Sequence, residues 1–179
     1  MGQSPEQFMT IQRLVSAARV LGRERGWSHD RLLIGADCYS RFAVEVVSEK
    51  WTEDYDDAPD KYAQLGTREL VIFDAETSPK ANPRRERLQV FRRDEVGALA
   101  RVYAGPGPAW SEELQIWLVA DQVDGSWGVA LARDAEGVEL VLTESELAES
   151  EAQRAETEKQ RAEVMAAKLR ALGIDPTKL

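Results

Sequence analysis

The sequence predicts a mixed α+β domain followed by a long, charged C-terminal helix. Short apolar segments with strand-like alternation follow an amphipathic helix at the start of the chain and flank a shorter helix. From residue 143 onwards the chain becomes charged and alanine-rich. We therefore expect a globular domain over residues 1–142 and a helix with coiled-coil spacing over residues 143–179.

The first helix is predicted from its cap and its apolar stripe. Ser4 is a suitable N-cap, Pro5 takes the first helical position, and Gln7 completes a capping-box pattern. The apolar residues that follow fall on one stripe: Phe8, Ile11, Leu14, Val15, Ala18 and Leu21. This helix is expected to pack one face against a core.

The middle of the chain predicts extended segments and one short helix. The expected strands cover residues 31–36, 42–48, 69–73, 88–92 and 98–103. A helix over residues 58–65 lies between the second and third strands, because Pro59 is tolerated in a first turn and Gly66 is placed to end the helix.

A Gly-Pro-Gly-Pro sequence at residues 105–108 interrupts this pattern. The segment after it, residues 111–119, fits either a helix or a strand. Residues 126–134 and 137–142 then predict a last hairpin, with its turn between Asp134 and Gly137.

The C-terminal helix is predicted to begin at a capping box of Thr143 and Glu146 and to stop at Gly173. The sequence QRAE occurs twice, seven residues apart, which puts Ala155 and Ala162 at one heptad position. Met165 or Ala166, then Leu169 and Leu172, continue this seam. Two interpretations stay open: a helix that pairs with a second copy, and a single helix that is held by charge pairs or folds back on the domain.

Composition excludes several classes of protein. No segment approaches the roughly 18 apolar residues of a membrane span, and the N-terminus lacks the layout of a secretory signal, so we expect a cytoplasmic location. The one cysteine, Cys38, is interpreted as a core residue rather than a nucleophile. No motif around the one histidine, His29, supports a zinc site or a serine hydrolase.

Charge is distributed unevenly along the chain. The net charge of −9 argues against a surface that attracts nucleic acid everywhere. Residues 80–93 nevertheless contain six bases and a single acid; the bases are Lys80, Arg84, Arg85, Arg87, Arg92 and Arg93. This stretch predicts either a local patch that contacts nucleic-acid phosphates or a solvated hairpin loop with its flanks.

Glu45 occupies an unusual position in the predicted strand at residues 42–48. Alternation places it on the same face as Ala43 and Val47, so a carboxylate is set among apolar neighbours. Burial of an unpaired charge costs roughly several kcal/mol. We therefore expect Glu45 to have a cation or good hydrogen-bond donors beside it, or to lie on a wet face.

Residues 44–74 carry a resemblance to a known family. The pattern consists of Glu45 with Ser48, Asp54, Tyr62 with Ala63, Leu65 with Gly66, Glu69, and Phe73 with Asp74. In this order and spacing it resembles the bacterial putative restriction endonuclease family of the PD-(D/E)XK nuclease superfamily. The ending LRALGIDP, residues 169–176, is similar to that family as well.

The resemblance implies a restriction-endonuclease-like central sheet flanked by helices, and a hydrolase that cuts DNA with magnesium or manganese. In that superfamily two carboxylates hold the metal, and a lysine orients or activates the attacking water. Glu45 and Asp37 would be the metal ligands here, and Lys61 the catalytic lysine. Lys80, Arg84, Arg85 and Arg87 would bind the nucleic acid.

The chain departs from the family pattern at two places. Family members carry a proline-aspartate pair before the glutamate strand, whereas this chain has Ser40 and Arg41 directly before that strand, and Asp37 is the nearest acid. The family's lysine lies four residues before the tyrosine, and that position is Ala58 here. Two hypotheses follow: a magnesium-dependent endonuclease, or a catalytically degenerate relative whose C-terminal helix is an oligomerisation or partner-binding module. A homo-oligomer is expected to be a dimer.

Overall fold

Seven strands and four helices of the described residues build the mixed α+β fold that the sequence predicts. The computed structural model describes residues 5–27, 41–48, 51–77, 84–123 and 125–172. Its elements, in chain order, are α1 (Pro5–Glu24), β1 (Phe42–Val46), α2 (Trp51–Asp56), α3 (Ala58–Gln64), β2 (Glu69–Phe73), β3 (Leu88–Arg93), β4 (Leu99–Gly105), β5 (Ala109–Ser111), β6 (Ile116–Val123), β7 (Ser126–Ala132) and α4 (Glu144–Ala171).

The first sheet has the strand order β1-β2-β3-β4. Strands β1 and β2 run parallel, and the connection between them contains α2 and α3. Strands β2, β3 and β4 are antiparallel neighbours. Every residue of β2 is buried, as expected for a strand that is covered on both faces.

The two short helices cover one face of this sheet. Leu70 and Ile72 of β2 belong to an apolar cluster that Tyr55 of α2 and Ala58 of α3 complete. In the parallel register Ala43 lies beside Leu70, and Glu45 lies beside Ile72. Glu45 is therefore on the face of the sheet that the helices cover, as the alternation of residues 42–48 predicts.

The second sheet has the order β5-β6-β7 and is antiparallel throughout. Helix α1 packs against β7. The Thr10 hydroxyl donates to the Trp127 carbonyl at 3.4 Å, and Arg13 forms an ion pair with Asp121 at 3.0 Å. The predicted amphipathic helix at the start of the chain thus does pack one face on a core; its predicted cap, Ser4, lies outside the described residues.

A buried carboxylate joins the two sheets. Glu69, at the start of β2, is 1% exposed. Its Oε1 accepts a hydrogen bond from the Ser111 hydroxyl of β5, and its Oε2 accepts from the Glu112 amide at 2.8 Å and from Arg92 Nε at 3.2 Å. Arg92 also donates to the Trp110 carbonyl at 2.7 Å. Because donors surround this charge, burial of the β2 end is possible.

A second buried carboxylate follows the other end of β2. Asp74 is fully buried, and Arg85 binds both of its oxygens, at 2.6 and 2.7 Å. The Tyr55 hydroxyl donates to Asp74 Oδ2 at 2.9 Å, which ties α2 to the end of β2. Burial and the Asp74 carboxylate raise the pKa of Tyr55 to about 12, so this hydroxyl stays protonated as a donor at neutral pH.

Local sequence signals account for most element boundaries. In α3, Pro59 lies in the first turn, and Gly66 follows the C-cap with a φ of 82°. Residues 111–119 comprise the last residue of β5, a four-residue turn and the start of β6, so the segment is not a helix and its second half is a strand. Helix α2 was not expected from the sequence, and the predicted strand at residues 31–36 lies outside the described residues.

The last predicted hairpin forms only in part. Strand β7 is present, but residues 137–142 contribute a single bridge, between Leu140 and Ala132. The Asp134 carboxylate accepts hydrogen bonds from the amides of Val138 and Glu139, at 3.1 and 2.6 Å. These amides therefore donate to a side chain instead of to the backbone of a neighbouring strand, and a regular second strand of the hairpin does not form here.

The chain divides into two compact units, Met1–Val141 and Leu142–Leu179. In the second unit the predicted capping box is confirmed, since Thr143 accepts from the Glu146 amide and the Glu146 carboxylate accepts from the Thr143 amide at 2.7 Å. No residue of α4 is buried. Its pairing with a second copy stays a prediction. No helix in the described part of the chain is long and apolar enough to cross a bilayer.

We predict that Glu69→Gln lowers the free energy of unfolding by about 1.5–3 kcal/mol, the range for hydrogen bonds to a charged group. Glutamine keeps the size of the side chain but removes the charge that Ser111 and Arg92 bind. Urea denaturation followed by circular dichroism measures the change.

The matched control is Glu95→Gln, which removes the same charge from an exposed residue of the turn between β3 and β4. This variant should stay within about 0.5 kcal/mol of the parent protein. Equal unfolding midpoints for Glu69→Gln and Glu95→Gln would contradict the role of Glu69 as the link between the sheets.

Candidate active site

Glu45 lies in the middle of β1, beneath helix α3. Its side chain is half-buried, because the strand register places it next to the buried Ile72 on the covered face. The Tyr62 hydroxyl of α3 donates to Glu45 Oε2 at 2.8 Å. No hydrogen bond from the described residues reaches the other oxygen, Oε1. The Tyr62 hydroxyl is therefore one of the hydrogen-bond donors that the sequence analysis required beside this carboxylate.

The surroundings of Glu45 shift its acidity. Burial raises the pKa of Glu45 above its ordinary value of 4.5; the Tyr62 hydrogen bond opposes this effect, the Asp54 carboxylate adds to it and the Lys61 ammonium opposes it. Burial, together with the neighbouring carboxylate, also raises the pKa of Tyr62. The tyrosine is thus a neutral donor, and Glu45 is a carboxylate whose charge lacks full compensation.

Asp54 lies in α2 and binds the chain just after β1. Its Oδ2 accepts hydrogen bonds from the Ser48 amide at 2.7 Å and from the Ser48 hydroxyl at 2.8 Å. These two bonds fix the chain where it leaves the strand, two residues beyond Val46. The sequence analysis identified Ser48 and Asp54 only as parts of a family pattern, and their direct contact gives that spacing a physical reason.

Lys61 precedes Tyr62 on α3 and is exposed. Its Nζ lies 5.6 Å from the centroid of the Tyr62 ring, and its charge acts on the Glu45 carboxylate. The structure therefore brings two of the predicted catalytic residues, Glu45 and Lys61, into one neighbourhood. Ala58, at the position where the family pattern has lysine, is 5% exposed and belongs to the apolar cluster.

The chemistry of these side chains suits a hard divalent cation. Magnesium takes oxygen ligands, and it keeps several waters, so one or two carboxylates are enough to bind it. Glu45 offers Oε1 for this purpose, and Asp54 adds a second negative charge nearby. No group of three acidic, histidine or cysteine residues that could hold a metal occurs within the described ranges. Asp37, the second ligand predicted from the sequence, lies outside them.

The predicted nucleic-acid-binding arginines have partners within the domain. Arg85 binds Asp74, and Arg87 donates to the Asp74 carbonyl at 3.0 Å and stacks on the Trp127 ring at 4.2 Å. Arg84 is 63% exposed in its side chain and pairs with Asp56 at 3.0 Å. Lys80 lies outside the described residues. Arg84 is therefore the residue of this set that the structure describes as mainly accessible.

The sequence analysis did not assign a role to Tyr62. Its contact with Glu45 spans 17 positions of the chain and depends on how α3 crosses β1. One signal was present: a carboxylate on an apolar face requires a donor, and a tyrosine on the neighbouring helix is a suitable one. That signal does not distinguish Tyr62 from Tyr55, which lies on α2 and binds Asp74 instead.

Comparison with protein families gives a match to the one described as Uma2: Putative restriction endonuclease, over residues 37–121. Searches among curated proteins and among solved structures found no match. The matched segment contains β1, both short helices and the first sheet, and therefore all the residues around Glu45. Residues 37–121 thus form a domain that matches the Uma2 family of putative restriction endonucleases, which belongs to the PD-(D/E)XK superfamily.

Proposed function

We propose that the domain hydrolyses DNA phosphodiester bonds with a divalent cation, magnesium or manganese, bound at Glu45. The observation that carries this proposal is the half-buried Glu45 carboxylate, which has one neutral hydrogen-bond donor and no ion-pair partner among the described residues. The position of Glu45 within the Uma2 match supports the same function.

In this proposal Glu45 and Asp37 hold the cation, and each acidic residue contributes carboxylate oxygens. When bound, the cation polarises the scissile phosphate and supplies hydroxide near neutral pH. Asp54 keeps the exit of β1 in place through Ser48, and its charge makes the site more attractive to cations. Lys61 orients the attacking water, or stabilises the charge that develops on the phosphate, from the exposed side of α3.

Contacts with the DNA backbone would come from the basic stretch before β3, which comprises Lys80, Arg84, Arg85 and Arg87. Arg84 is the most direct candidate in the described part, since a phosphate can replace its exposed partner Asp56. Arg85 and Arg87 hold the end of β2, and in this proposal they add positive potential while they keep those contacts.

A second candidate function is a non-catalytic nuclease relative that forms a homodimer through α4. The observation in its favour is a helix of 28 residues without a buried residue, which carries the alanine seam that the sequence predicts. Ala58 at the lysine position agrees with this alternative as well. The two candidates differ in a measurable respect, because only the first requires Glu45 to bind a cation.

Plasmid nicking with manganese tests the proposed activity. We expect the parent protein to convert supercoiled DNA to open circles. The rate for Glu45→Gln should be lower by at least about 100-fold, because the loss of a metal ligand should exceed the loss seen for residues that only orient such a ligand. Asp60→Asn, an exposed change on α3, is the control and should retain the parent rate. Equal nicking by the parent and Glu45→Gln would reject this site, and no nicking by either protein would favour the homodimer candidate.

Lys61→Met separates catalysis from cation binding. The change removes the ammonium but keeps most of the side-chain length, so we expect the nicking rate to fall by about 10²–10⁴-fold. Manganese should raise the melting temperature of both the parent protein and Lys61→Met, because a ligand of the folded state stabilises it and Lys61 does not bind the cation. A rate equal to that of the parent protein would remove Lys61 from the mechanism.

Glu45→Gln should also change the stability of the metal-free protein with pH. Burial raises the pKa of Glu45 in the folded state above 4.5, its value in the unfolded chain. The folded state therefore binds a proton at Glu45 more tightly than the unfolded state does, and this stabilises the fold fully below pH 4.5. The stabilisation is lost as the pH rises through the pKa of Glu45 in the folded state. At pH 8 the neutral glutamine avoids the buried charge, and the variant should melt a few degrees above the parent protein. The difference should shrink as the pH approaches 4.5; a variant that is less stable at pH 8 would contradict this account.

A further inference from the structure

We propose that Tyr62 is a positioning residue, whose hydroxyl holds the Glu45 carboxylate so that Oε1 is presented to the cation. This inference rests on the proposed function, since it assigns a role to a contact of the same site. The contact is a direct hydrogen bond of 2.8 Å from the Tyr62 hydroxyl to Oε2.

The tyrosine is well placed to orient another side chain. Its ring packs against the apolar cluster between α3 and the sheet, which limits the movement of the hydroxyl. Helix α3 is anchored nearby by Arg93, whose guanidinium donates to the Ala63 carbonyl at the next position of the helix. A donor on a rigid ring restricts the rotation of a carboxylate, and this is how residues behind a metal ligand usually act.

Comparison with the two fully buried carboxylates, Glu69 and Asp74, shows why a tyrosine beside Glu45 matters. Asp74 is bound through both oxygens by Arg85, and Glu69 is bound by Arg92 together with neutral donors. A guanidinium cancels the charge of its partner, whereas a phenol leaves that charge in place. The partner of Glu45 is the phenol of Tyr62, which fixes the orientation of the carboxylate and leaves its negative charge available to bind a cation.

The same comparison concerns geometry as well as charge. In the Asp74 site Oδ1 accepts from both Arg85 and the Glu76 amide, and Oδ2 accepts from Arg85 and Tyr55. At Glu45 the described residues engage Oε2 alone. One oxygen is thus fixed by Tyr62, and the other has no donor among the residues that the structure describes, which is the arrangement expected of a carboxylate that binds a cation through a single oxygen.

Tyr62→Phe tests the inference through manganese affinity. Titration followed by the electron paramagnetic resonance signal of free manganese reports binding without any reaction. We expect Tyr62→Phe to bind manganese about 10–100-fold more weakly than the parent protein, the usual effect of losing the group that orients a ligand. At saturating manganese the nicking rate should return close to the parent value, since the ligand itself is intact. Tyr62→His, which keeps a ring N–H donor, should recover part of the affinity.

The matched control is Tyr103→Phe, which removes a hydroxyl that accepts from the Gly107 amide at 2.8 Å, in a part of the first sheet that does not contact Glu45. Its manganese affinity should equal that of the parent protein. If Glu45→Gln abolishes manganese binding and Tyr62→Phe leaves it unchanged, the positioning role is wrong while the proposed function stands. If the parent protein does not bind manganese through Glu45, both proposals are rejected.

Discussion

Complete burial of strand β2 is the constraint on which the rest of the domain depends. The strand is flanked by two carboxylates, Glu69 at its start and Asp74 directly after its end, and both are almost inaccessible to solvent. Each is compensated by an arginine from the β3 side of the sheet, Arg92 and Arg85 respectively. An uncompensated charge at either place would cost several kcal/mol, of order 3–5 when one partner of a buried pair is missing.

These two ion pairs also determine the connections between layers. Glu69 reaches Ser111 of the second sheet, while Asp74 reaches Tyr55 of the helical layer. The start and the end of one strand therefore hold elements on different sides of it. Between these fixed ends, the register of β1 against β2 places Glu45 beside Ile72 and beneath α3.

The sequence predicts most strands of this fold because their apolar residues alternate, and it predicts the ends of α3 and α4 because Pro59, Gly66 and Thr143 have local conformational preferences. It does not predict α2, whose six residues, three of them acidic, are too few to show a helical period. It also cannot separate the arginines that bind DNA from those that neutralise Asp74, since that distinction depends on contacts between residues 11 positions or more apart. The alternation of residues along β1 predicts that Glu45 is buried, but it does not predict that Tyr62 is its hydrogen-bond donor.

Comparison of the half-buried Glu45 with the two fully buried carboxylates, Glu69 and Asp74, separates structural from functional charges within one domain. Glu69 and Asp74 each have an arginine beside them, because charge compensation lowers the cost of burial. Beside Glu45 the protein places Tyr62 instead, and the pKa of Glu45 is raised as a consequence of burial that is only partly offset. Sites that bind ligands often retain such unfavourable features, because the ligand supplies the missing compensation. The difference between a guanidinium and a phenol is thus the physical reason to look for the cation at Glu45 rather than at the other two carboxylates.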